Sequence, residues 1–84
     1  MDPNFHSESI TDEILSVEFR DGSTFVRFKD ELPVNAIDII DADGVKRDVA
    51  GCLDRFTLYV YGNIPFTPST LGVMTNCYLD HPPE

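Results

Sequence analysis

The chain has 84 residues, of which 42% are hydrophobic and 11% aromatic, enough for one small folded core and too few for a cleft between two domains. Fifteen acids against six bases give a formal charge of −9, which disfavours direct binding to nucleic acid or to an anionic membrane and favours a basic protein partner. With no signal peptide, apolar span or Asn-x-Ser/Thr sequon, the expected location is cytoplasmic, in a bacterium or an infected host cell.

Residues 1–9 are polar and unpatterned and read as a flexible N-terminal tail, with a single β domain over 10–80 and a C-terminal tail over 81–84. From Leu15 to Lys29 the chain reads as a β-hairpin, with apolar residues alternating on both sides of Asp21-Gly22. Asp-Gly suits a type I′ turn, whose two central residues need positive φ. With those two as the loop, Phe19 opposes Thr24, Val17 opposes Val26 and Leu15 opposes Phe28 on a core face. Glu18 and Phe25 then oppose one another on the outer face, with Arg20 and Arg27. Pro33, which has no N–H, should end that strand.

Ala36–Asp41 is rich in β-branched residues and reads as a third strand. A turn at Asp41–Gly44 leads to a fourth at Val45–Val49. A two-residue loop there sets Asp41 opposite Lys46, whereas a bulged three-residue loop shifts the pairing. Gly51–Asp54 has room for a short helical turn. Phe56–Tyr61 is a strand with Phe56, Leu58 and Val60 on one side and Thr57, Tyr59 and Tyr61 on the other. After a long connection over 62–69, Leu71–Leu79 is the last strand, with a short helix from Pro68-Ser69 as the competing reading. The expected fold class is therefore all-β: a small antiparallel meander of five or six strands, barrel-like or two-layered, with room for one short helix.

Motifs for chemistry are weak. Asp41-x-Asp43-Gly44 resembles the middle of a calcium-binding loop, but the alignment puts Ile39 and Ala50 where the first and last oxygen ligands belong. Cys52, Cys77, His6 and His81 are too scattered for a zinc site, and neither cysteine has a neighbouring base. The two thiols are expected reduced and mostly buried, with one disulfide between them as the competing reading. No phosphate-binding loop is present, and no enzyme activity, metal or cofactor is expected.

The acidity is more informative, because it is blocked. Residues 1–13 carry four acids and no base, and residues 30–43 carry five acids and no base. The hairpin register brings Asp12, Glu13, Asp30 and Glu31 to its open end, where four carboxylates repel one another unless a cation neutralises them. Carboxylates two apart on a strand, as Asp41 and Asp43 would be, lie about 6–7 Å apart on one face, although Asp43 reads as part of the turn. Together with Asp38 they complete an acidic surface, and Tyr59 and Tyr61, opposite the core stripe, are candidate interface anchors. The expectation is a small acidic protein-binding module, an inhibitor or adaptor of the phage-encoded anti-defence kind. It would occupy a basic surface on a host nucleic-acid-handling protein. The alternative is a structural or assembly subunit, such as that of a viral particle, that forms a homo-oligomer through the edges of the Phe56–Tyr61 or Leu71–Leu79 strands.

Overall fold

The computed structural model describes residues 7–33 and 37–78. Seven strands form one antiparallel sheet: β1 Ser7–Arg20, β2 Ser23–Phe28, β3 Asp38–Ile40, β4 Lys46–Asp48, β5 Gly51–Cys52, β6 Thr57–Tyr61 and β7 Leu71–Tyr78. Their order is β4-β3-β7-β1-β2-β6-β5, and the sheet is not closed. The all-β antiparallel class is as expected, with more strands than the five or six predicted. No helix occurs among the described residues, so none is long and apolar enough to cross a membrane. Gly51-Cys52 is strand rather than helical turn, and Pro68-Ser69 is a turn.

The hairpin forms at Asp21-Gly22 with φ of 53° and 77°, the double positive φ that a type I′ turn requires. Phe19↔Thr24, Val17↔Val26 and Glu18↔Phe25 pair as predicted. The register then shifts between Ile14 and Ser16, so that Ile14, not Leu15, faces Phe28. This bulge is where β1 changes partner, from β7 along its first half to β2 along its second. An extra residue bends the strand and reverses which side chains point inward. Ile14 is consequently buried and Leu15 is 47% exposed, a correction to the core face read from alternation. Phe19, expected in the core, is 52% exposed beside the hairpin turn. The strand also starts at Ser7, inside the segment expected to be a tail.

The core gathers Ile14, Val26, Phe28, Ile39, Leu58, Val60 and Met74, drawn from five strands across the sheet. Burying each such side chain contributes about 1.5–3 kcal/mol before the opposing chain entropy. Residues from distant strands meet because the sheet is curled: its end strands β4 and β5 are joined by only Val49 and Ala50. Val49 N–H donates to Ile37 O on one side of this joint, and Ala50 N–H donates to Tyr59 O on the other. Gly72 allows β7 to pass under the β1 bend; a Cβ there would lie 2.7 Å from Phe28 Cε2 and 3.1 Å from Ile14 Cγ1.

Asp38–Ile40 pairs with Lys46–Asp48, and Asp41 N–H donates to Val45 O, leaving the bulged three-residue loop Ala42-Asp43-Gly44. Gly44 takes φ 79° in it. Both strands singled out for self-association lie inside the sheet, β6 between β2 and β5 and β7 between β1 and β3. β5 covers β6 at Leu58 and Tyr59, and β3 covers β7 at Val73, Met74 and Thr75, so neither strand is an outer strand of the sheet. Ala36, Leu79, both histidines and the 81–84 tail lie outside the described residues.

Candidate functional site

The open end of the β1–β2 hairpin brings together the acids that the register predicted. Lys29 N–H donates to Glu13 O at 2.9 Å, extending the hairpin by one bond beyond the bulge. Asp30 N–H then meets both carboxylate oxygens of Asp12 at 3.2 and 3.1 Å. Because the bulge reverses side-chain direction, Asp12 points inward and is only 6% exposed. Its pKa is raised, first by burial and further by repulsion from the Asp30 carboxylate, with the Asp30 N–H acting in opposition. Glu13 is half-buried, and Asp30 and Glu31 are exposed.

Three of the four arginines are engaged away from this end. Arg20 pairs with Glu18 at 3.1 Å and Asp21 at 3.7 Å, Arg27 with Asp54 at 4.0 Å, and Arg47 with Asp41 at 2.8 Å. Arg55 reaches Glu31 at 3.6 Å. Every arginine therefore has an acid beside it. Glu13 and Asp30 have no arginine partner among the described residues, and Lys29 is the base adjacent in sequence.

The second acidic block does not form a common surface. Asp41 is buried, and its carboxylate accepts N–H groups from Asp43 and Val45 at 2.8 and 2.9 Å and Nε–H of Arg47 at 2.8 Å. Those bonds, Arg47 first, hold its carboxyl below the usual range. Asp41 is thus the internal brace of its turn and presents no pair of charges with Asp43, which is exposed. Asp38 is buried too. The Asp-x-Asp-Gly pattern signalled such a turn, in which the first aspartate turns back onto the backbone.

The tyrosines sit elsewhere. Phe25 and Tyr59 are cross-strand neighbours with ring centroids 5.3 Å apart, and Tyr59 and Tyr61 are 6.1 Å apart. Arg20 lies 4.3 Å over the Phe25 ring. Only Tyr61, 71% exposed, stands clear as an anchor. It pairs with Ser23 next to the hairpin turn, whereas Asp12 and Asp30 lie at the opposite end, so acids and tyrosines form two patches. Alternation hinted at the Arg20–Phe25 contact by placing both on the outer face, but nothing local showed its closeness.

Cys52 is exposed and free, a correction to the expected buried thiol. It sits in the two-residue strand β5 beside a groove of about 550 Å³ lined by Glu31, Leu32, Pro33, Asp54 and Arg55. Partial desolvation and then the Asp54 carboxylate push its thiol pKa up, away from nucleophilic reactivity. The Cys77 side chain lies outside what the structure describes.

Comparison with protein-family models, with curated proteins and with solved structures gives no match.

Proposed function

We propose that this protein is an acidic binding module, an inhibitor or adaptor, that docks the open end of its hairpin against a Lys/Arg-rich surface of another protein. The observation that carries this reading is the Asp12–Asp30 contact flanked by Glu13. Carboxylates are held together there at a cost in repulsion, and Arg55, beside Glu31, is the one arginine paired at that end among the described residues. A partner's cation placed there would relieve that repulsion. Glu13, Asp30 and Glu31 are the contact residues, Asp12 supports them from beneath, and Tyr61 belongs to a separate patch. The curled, barrel-like sheet serves as the rigid support. A basic groove that normally holds nucleic acid suits this charge, and a phage-type antagonist of a host nucleic-acid-handling protein is the biological role that fits it.

The test is capture of partners from host-cell lysate on the immobilised protein, eluted with a salt gradient, beside an Asp30→Lys/Glu31→Lys variant. A basic protein retained by the native chain, released at moderate salt and lost with the variant, is the expected result. Retention that survives both high salt and charge reversal overturns the reading.

A further inference from the structure

The change of partner half-way along β1 leaves one side of its second half unpaired among the described residues. Ser16–Arg20 bonds to β2 on one side. On the other, contact with the segment leading into β7 ends at Ile14, whose N–H donates to Thr70 O and whose C=O accepts Ser69 N–H, both at 2.8 Å. No described strand continues along Ser16–Arg20. Backbone direction follows from β2. Phe28 N–H donates to Phe56 O, and Gly22 O accepts Gly62 N–H, so the even residues there turn toward β6. Ser23, Phe25 and Arg27 therefore bond to Arg20, Glu18 and Ser16. By alternation, the N–H and C=O of Val17 and Phe19 point outward from the sheet.

The strands at the ends of the sheet are protected, β4 being Lys46-Arg47-Asp48 and β5 only two residues long. The β1 edge is longer and carries charges of both signs, Glu18 and Arg20, on either side of Phe19, which stands exposed along it. We propose that this edge pairs with the same edge of a second copy of the chain, antiparallel, about a two-fold axis through Phe19. Phe19 then faces Phe19 of the second copy as a doubly hydrogen-bonded pair, which its outward backbone groups permit. Glu18 faces Arg20 of the second copy and Arg20 faces Glu18, on the outer surface.

Neighbouring registers are worse. Centring on Glu18 sets Glu18 against itself, and centring on Arg20 sets Arg20 against itself; like charges directly opposite are destabilising. Centring on Val17 sets Arg20 opposite Ile14, whose backbone groups are already bonded to Thr70 and Ser69. The segment is its own complement in the Phe19 register, as a two-fold contact requires. The result is one sheet running β6-β2-β1 into β1-β2-β6 of the second copy, with the two acidic ends pointing in opposite directions. It stands whether or not those ends bind a basic partner.

Sedimentation velocity of the full chain across a wide concentration range, with reductant present to keep Cys52 free, tests the proposal. The mass should rise from 9.4 kDa toward twice that value with concentration. Glu18→Arg and Arg20→Glu should each weaken the dimer about tenfold, and the Glu18→Arg/Arg20→Glu exchange should restore it. Amide exchange gives a second readout independent of the variants: the Phe19 N–H should gain protection at high concentration. A monomer at every concentration, a dimer indifferent to both single reversals, or an unprotected Phe19 amide in the dimer would overturn it.

Discussion

Both carboxylate oxygens of Asp12 lie within hydrogen-bond distance of one backbone N–H, that of Asp30, across the open end of the hairpin. Burial is the larger influence on this carboxyl and raises its pKa despite the bond. Between the ordinary and the raised value the folded chain holds more proton than the unfolded chain, so this group's contribution to stability grows as pH falls through that window. Asp12→Asn keeps an acceptor for Asp30 N–H and removes the buried charge. The variant should melt a few degrees higher than the native chain at pH 7, and that advantage should shrink toward pH 4. Thermal unfolding at several pH values checks both.

Asp41 has the opposite sign. Its pKa is lowered, first by Arg47, so its stabilisation is complete above the unfolded aspartate value of about 3.9 and is lost as pH falls through the depressed folded value. Asp41→Ala leaves the Asp43 and Val45 N–H groups and the Arg47 guanidinium without their acceptor. The melting temperature should drop clearly at pH 7, and the gap to the native chain should narrow in strong acid. An Asp43→Ala control, at an exposed position, should change little.

Two glycines with equally close neighbours should respond differently. At Gly72 an added methyl meets Phe28 and Ile14 inside the core, where neither can yield, so Gly72→Ala should cost about 1–3 kcal/mol. At Gly51 it would lie 2.8 Å from the Tyr59 hydroxyl, the far end of a half-buried ring that can swing outward. Gly51→Ala should cost less than about 1 kcal/mol. Its main effect should be a changed Tyr59 environment. Denaturant melts give the first comparison and tyrosine ring NMR shifts the second.

Exposure alone would make Cys52 the reactive thiol, yet desolvation and Asp54 hold its thiolate fraction down. In a Cys77→Ser background, alkylation at pH 7 should run severalfold slower than for a cysteine in a short peptide. Asp54→Asn, which can still accept the Phe56 N–H, should recover part of that rate.

Much of the local structure was legible because it is decided by neighbours in sequence. Positive φ at two adjacent residues selects Asp-Gly, and the register near the turn follows from a two-residue loop. The β6 stripe of Leu58 and Val60 was readable for the same reason, since alternation decides which side chains share a face. The acidic end was half legible. Which residues meet there depends on pairing; which carboxylate turns inward depends on a bulge that no local residue announces.

By itself, then, the sequence determined the antiparallel class, the hairpin turn and the meeting of Asp12 with Asp30, all consequences of alternation and turn chemistry over short separations. Tertiary structure alone decided the rest. The exchange of β7 for β2 along β1 requires a bulge, and the bulge buries Ile14 and Asp12 while leaving Leu15 outside. The long-range order of strands put β6 and β7 in the interior, and left the Ser16–Arg20 edge without a described neighbour. Strand order is set by which distant apolar faces can be buried together around Phe28, and periodicity within a strand carries no record of its neighbour.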